Sequence, residues 1–296
     1  MDYLASLKQK NNNHILSKVL EHSSKDGIDE LKKIKSRIII SYDKYDGLIS
    51  KGRIKPRKTS FNNERKILIN LYSPAPVCIK DFMSNRRNNH GLLECPFCGN
   101  PVSPDTLDHF IPKDDWPEYS IFPNNLVPQC RACAPIKGGK YYCDTKNNAI
   151  FLHPMYHKSL SEIEFDILID FNQENNRFSF DASILVPNSI MKNKYLCSRI
   201  SSHFNSLKIK SRIVSFCHNE IRHWKGLLRK KHFNLYSSLD TIINERMTSD
   251  QCKNWKTALY IKLKQNQEAM DYLHSLRPDV VHQPHPPRRP MIELEI

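Results

Sequence analysis

No apolar run in this 296-residue chain approaches the ~20 residues needed to cross a bilayer. The opening residues, MDYLASLKQKNNN, also lack the apolar stretch of a secretory signal. The expectation is a soluble, cytoplasmic protein with no membrane partner. Glycine is scarce at 8 residues, and no internal repeat is visible, as in an ordinary globular chain. Its length allows a real core and two structural units. The 9 cysteines are odd in number and spread along the sequence, which argues against a disulfide framework and for free thiols plus a metal site. No helix-turn-helix, zinc-finger or basic-zipper signature is visible, so a sequence-specific transcription factor is disfavoured. Acidic residues are outnumbered 31 to 45 by Lys and Arg, and the net charge of +14 favours a polyanionic partner.

That excess is unevenly placed. Residues 1–94 carry +9, residues 95–189 carry −5, and residues 190–277 carry +11. An acidic centre between basic flanks suits a site that cuts phosphodiesters, with carboxylates at the centre and cations around it to hold the backbone. The competing reading is that the cations merely solubilise helices.

Apolar spacing predicts an amphipathic helix over the first ~20 residues and a second from Ile28 to Leu48. A basic loop, Lys51 to Lys58, precedes a third helix from about Ser60, capped by Ser60 or Asn62. Alternation of Ile163, Phe165, Ile167, Ile169 and Phe171 with acidic residues, followed by Asn-Gln-Glu-Asn-Asn and then Phe178 and Phe180, predicts a β-hairpin with one buried face. From Ser189 to Leu276 there is no Pro and only Gly226, which predicts about three basic helices, the clearest from Ile213 to about His232. The tail 279–296 is Pro-rich and is expected to be extended or disordered unless a partner holds it.

Cys95-Pro-Phe-Cys98 and Cys130-Arg-Ala-Cys133 are two C-x-x-C pairs, each able to supply two ligands to a closed tetrahedral structural Zn²⁺. The 31 residues between them exceed the usual ribbon spacing, so an element is inserted there. The insertion opens like a strand at Thr106-Leu107-Asp108-His109, and Pro123 to Gln129 is expected to lead into a helix bearing the second pair. C-x-x-C, L-D-H-x-x-P-K, N-L-V-P, C-x-x-C and Lys137-Gly138 fall within 44 residues. This combination resembles the HNH endonucleases over about residues 92–157.

The resemblance implies an α+β fold: a zinc-braced ββα-metal HNH core with a β-hairpin extension, flanked by N- and C-terminal basic helical regions. The corresponding domains are 1–91 helical, 92–157 nuclease core, 158–188 hairpin, 189–278 basic helical and 279–296 tail. It implies His109 as general base, Asp108 as ligand of a catalytic Mg²⁺ or Mn²⁺, and Asn125 as the residue orienting the His109 ring. For Asn125 a helix N-cap is the competing reading. Proteins of this kind usually carry Asn or His directly after the second C-x-x-C as another ligand of the catalytic metal; here the position is Ala134. An inactivating substitution, a natural degenerate nuclease, or a ligand recruited from Asp114, Asp144 or His153 would each account for it. His153 and His157 have ligand spacing, but Pro154 between them favours packing.

For phosphate contacts the sequence offers Lys137 and the segment Arg222, Lys225, Arg229, Lys230 and Lys231, with Trp224 or His223 available to stack on a base. The function expected is a metal-dependent endonuclease acting on DNA or RNA, with activity impaired by Ala134. The alternative is a non-catalytic nucleic-acid-binding or scaffold subunit. The layout also resembles the effector nucleases of bacterial antiphage systems of the Septu and retron-linked kinds, which implies a protein partner, an ATPase subunit among the candidates.

Overall fold

The computed structural model describes residues 1, 3–10, 13–231, 233–246 and 252–278. The Pro-rich segment 279–296 lies outside the described residues. Helices and three small antiparallel sheets make a mixed α+β fold. No helix among the described residues is long and apolar enough to cross a membrane.

At the N-terminal end, α1 (His14–His22) buries Ile15, Leu16, Val19 and Leu20 along one face. The single helix expected from Ile28 is two, α2 (Ile28–Lys33) and α3 (Lys35–Lys51), because the backbone at Ile34 leaves helical geometry. Ile38, Tyr42, Tyr45 and Ile49 recur every three or four residues on α3 and are buried. Gly52 ends the helix at φ +60, a conformation suited to Gly, and a Cβ there would strike the Arg199 guanidinium. The basic segment follows, and α4 (Arg65–Asn70) starts five residues later than the sequence suggested, with no side-chain cap from Ser60 or Asn62. After α5 (Lys80–Asn88) the chain reaches the first cysteine pair.

The centre is a β-β-α unit. β1 (Thr106–His109) pairs antiparallel with β2 (Leu126–Gln129), aligning Asp108 with Val127 and His109 with Leu126. Residues 126–129 are therefore strand, and the competing N-cap reading of Asn125 falls. α6 (Ala134–Lys137) follows the second cysteine pair directly. A minimal sheet of β3 (Tyr142–Cys143) and β4 (Asn148–Ala149) is tied to the end of α3 by Ala149 N–H donating to the Gly52 carbonyl at 2.7 Å.

The hairpin predicted from alternation is present as β5 (Glu164–Asn172) and β6 (Arg177–Leu185), with Phe165, Ile167, Phe171, Phe178 and Ala182 turned inward. Six C-terminal helices are described instead of about three: α7 (Asn188–Met191), α8 (Lys194–Ser206), α9 (Ile209–Leu228), α10 (Leu235–Arg246), α11 (Trp255–Gln265) and α12 (Gln267–Ser275). α9 begins and ends four residues earlier than expected; it packs on β6, while α11 packs on β5. These helices also grip the centre. His203 on α8 shares a hydrogen bond of 2.6 Å with the Phe97 carbonyl, and Arg199 donates to the Phe151 carbonyl at 2.8 Å.

Candidate metal centre and active site

The four cysteines of the two C-x-x-C pairs converge. All are buried, and their sulfurs lie within 4.8 Å of one another. Tetrahedral zinc at Zn–S of about 2.3 Å implies sulfurs about 3.8 Å apart, and the Cys98 and Cys130 sulfurs are 3.9 Å apart. The donor set and spacing thus fit a structural Zn²⁺. Burial pushes the Cys95 and Cys98 thiols up, whereas hydrogen bonds from the neighbouring thiols, Cys133 foremost, pull Cys130 down.

A cation that the sequence did not reveal completes this centre. Arg212 on α9 donates to Cys133 Sγ at 3.3 Å, Cys98 Sγ at 3.5 Å and Cys130 Sγ at 3.9 Å. Burial alone would weaken its charge, but the sulfurs more than offset this and hold its pKa above the ordinary value. Its guanidinium lies 5.4 Å from the Trp255 ring, and the Trp255 indole donates to the Cys98 carbonyl at 2.7 Å. A tetrathiolate zinc centre carries a net charge of −2, and one half-buried guanidinium against three sulfurs lowers the cost of desolvating it.

Beside this centre, β1 presents Asp108 and His109. The His109 Nε2 lies 2.9 Å from the Ser120 carbonyl. A carbonyl can only accept, so Nε2 carries the proton and Nδ1 keeps its lone pair. Burial lowers the His109 pKa to about 4, so the ring is neutral at neutral pH. Tyr72 packs edge-on against it with centroids 4.3 Å apart. Burial raises the Asp108 carboxyl above its usual range, partly offset by Lys137, whose ammonium is 3.1 Å from Oδ2.

Asn125 does not reach the His109 ring. Its Oδ1 accepts from Tyr45 Oη at 2.8 Å and from the Ile111 amide at 2.7 Å, and its Nδ2 donates to the Ile111 and Tyr119 carbonyls at 2.9 and 3.2 Å. It fastens the loop between β1 and β2, and the next carbonyl along, at Ser120, holds the imidazole. Asn125 therefore acts on His109 through the backbone.

Lys137 is also not placed as a surface phosphate contact. Its side chain is fully buried, and besides Asp108 it donates to the His109 carbonyl at 3.1 Å. Ala134 opens α6 and offers no donor. Of the three substitute ligands considered, exposed Asp144 pairs with Lys55 and Asp114 with Lys113, while buried His153 has both ring nitrogens committed to backbone groups of Asn124 and Met155. Among the described residues, the four cysteines are the one group of three or more metal-binding side chains. A hard divalent ion takes six or so oxygen ligands, whereas this site supplies a single carboxylate with an ammonium already beside it. The residues present do not make a complete divalent-ion site.

On α9, Trp224 is buried and donates to Tyr260 Oη at 3.0 Å, so it is not free to stack on a base. Lys225 lies 4.9 and 4.7 Å from the Phe178 and Tyr272 rings. Arg222 donates to Asn219, and Arg229, Lys230 and Lys231 are exposed at and beyond the helix end.

No family model matches the chain, and no solved structure resembles it significantly. The chain is similar to Protein ea31 of Escherichia phage lambda, with 41% identity over 68 residues. That match covers 23% of this chain and 22% of the phage protein, so the chain spans about a fifth of the length of this relative.

Proposed function

We propose that the chain is a phosphodiesterase of the HNH endonuclease type, with its base in place and its metal half one ligand short. The observation that carries this reading is the tautomer of His109. The Ser120 carbonyl fixes Nε2 as the protonated nitrogen, and Nδ1 is left to accept a proton from water. Water so activated attacks phosphorus, its proton passes to Nδ1, and the bond from phosphorus to the leaving 3′ oxygen breaks. Asp108 is the carboxylate next to the base on β1, and the cysteine centre braces the hairpin from which both residues project. In the complete site a divalent ion would stabilise the departing oxygen.

Ala134→Asn supplies the missing ligand and is the test. Nicking of DNA or RNA should appear in that variant with Mg²⁺ or Mn²⁺ and fall at least ~10²-fold when His109→Ala is added, with zinc content unchanged. Full activity in the double variant would mean that another group is the base.

A second reading, a non-catalytic nucleic-acid-binding subunit, is favoured by Lys137 lying against Asp108 in a chain with Ala134. It gains if Ala134→Asn binds polynucleotide but cuts none.

A further inference from the structure

The basic character of the two flanks is used differently. In the C-terminal part four lysines are answered within the fold: Lys210 pairs with Asp181, Lys256 with Glu220, Lys262 with Asp166 and Lys264 with Asp240. The Lys225 ammonium lies over two rings and donates to the Asn176 carbonyl at 3.3 Å. In the N-terminal part, α3 and the loop 51–58 form one side of a cleft of about 680 Å³. Five cations line it, Lys44, Lys51, Lys55, Arg57 and Lys58, all exposed. Among the described residues only Lys55 of these five forms an ion pair, with Asp144. Two acids also line the cleft: exposed Asp43, and Glu118, which is buried and accepts from Thr59 Oγ1 at 2.7 Å.

The opposite wall is the loop between β1 and β2. Trp116 is half-buried there, and its indole N–H donates to the Arg57 carbonyl at 2.8 Å. This contact ties the basic segment to the loop whose Ser120 carbonyl holds His109. A cleft that gathers five cations, four of them in no ion pair among the described residues, beside a fixed aromatic ring has the chemistry of a polynucleotide backbone site, where ammonium and guanidinium groups meet phosphates and an indole face meets a base.

We infer that this cleft, and not the surface of α9, is the principal phosphate-backbone groove of the protein. The inference rests on the proposed function and deepens it by naming the surface that delivers the substrate. A strand lying along residues 51–58 is held by the same loop that holds the base, so binding and chemistry share one rigid support.

The test uses the full chain and fluorescence anisotropy with labelled duplex DNA, single-stranded DNA and RNA over a series of salt concentrations. Replacing Lys51, Lys55, Arg57 and Lys58 together by Gln should weaken binding at least ~10-fold and reduce the slope of log K against log salt by about 3 to 4 on duplex. Replacing Arg229, Lys230 and Lys231 by Gln should change that slope by less than about one. If the multiple variant loses its zinc or its cooperative melt, Lys51→Gln and Lys58→Gln singly should each still lower the slope by about one. An unchanged slope in the cleft variants with a flattened one in the Arg229 set overturns the groove and leaves the proposed function standing. Failure of the unaltered protein to bind any of the three polynucleotides overturns both.

Discussion

The two chemical centres of this protein sit side by side and are finished to different degrees. At the cysteine centre every sulfur is buried, three of the four receive a guanidinium hydrogen bond, and an indole fixes the backbone of the first pair. At the hairpin, His109, the proposed base, has its Nε2 proton held by the Ser120 carbonyl and stands next to Asp108, whose carboxylate meets the Lys137 ammonium. The difference teaches that structural support and chemical completeness are separable here. Side chains reaching in from distant helices complete the first, whereas the second, as proposed, depends on one position, Ala134, that no other element among the described residues replaces.

The largest effect should come from breaking the finished side. Cys98→Ser should remove much of the ~10 kcal/mol or more that a structural zinc contributes and abolish cooperative melting of the centre. Thermal melts with parallel metal analysis check this, and a well-folded protein free of zinc would contradict the assignment.

Acid should act next, and across both centres. Burial lowers the pKa of His109 to about 4, of His157 to about 3, of His203 to about 4, and of His153 well below its usual value. Each therefore takes up a proton more readily unfolded than folded. Their contribution to stability is present above pH ~6.5 and is lost as pH falls toward 4, at up to about 1.4 kcal/mol per unit for each group. Asp108 has the opposite sign, since its pKa is raised and its contribution fades as pH rises. Urea unfolding between pH 7 and 4 with zinc content monitored should show a steep decline, and a flat profile would mean that these imidazoles are not held neutral.

The smallest effect sharpens the comparison. Arg212→Gln should leave the fold intact and weaken zinc binding ~10- to 100-fold, the range for outer-shell partners of metal sites. Chelator competition reads the affinity. No change would make Arg212 a bystander of the centre it touches.

What the sequence made legible follows from distance along the chain. A C-x-x-C pair is a local device, so its role was readable from spacing, and the alternation of Ile163 to Phe171 was readable because one face of the β5–β6 hairpin stays exposed. Residues 126–129 are buried without exception, and a strand buried on both faces shows no alternation, so nothing in their pattern marked β2 as strand and the N-cap reading of Asn125 stayed open. The break at Ile34 has no Pro or Gly to announce it. The partners that complete the cysteine centre, Arg212 and Trp255, lie 79 to 157 residues from the groups they bind. Tyr45 lies 80 residues before the Asn125 amide that accepts its hydroxyl. Such pairs become visible only when the fold closes. His109 was singled out by its motif, whereas the position of its ring proton needed the Ser120 carbonyl.

The four-residue helix α6 has a mechanical consequence. Its first turn starts at Cys133, and the Lys137 amide donates to the Cys133 carbonyl at 2.9 Å. One end of this short strut is a sulfur of the cysteine centre, and the other is the ammonium that touches Asp108 and the His109 carbonyl. A single helical turn leaves little chain between the two, so a shift at the sulfur is felt at the backbone that carries the ammonium. A zinc ion held by the four cysteines would thereby bear on the spacing of the proposed catalytic groups without touching them, and a loosened cysteine cluster would show itself first as a misaligned hairpin.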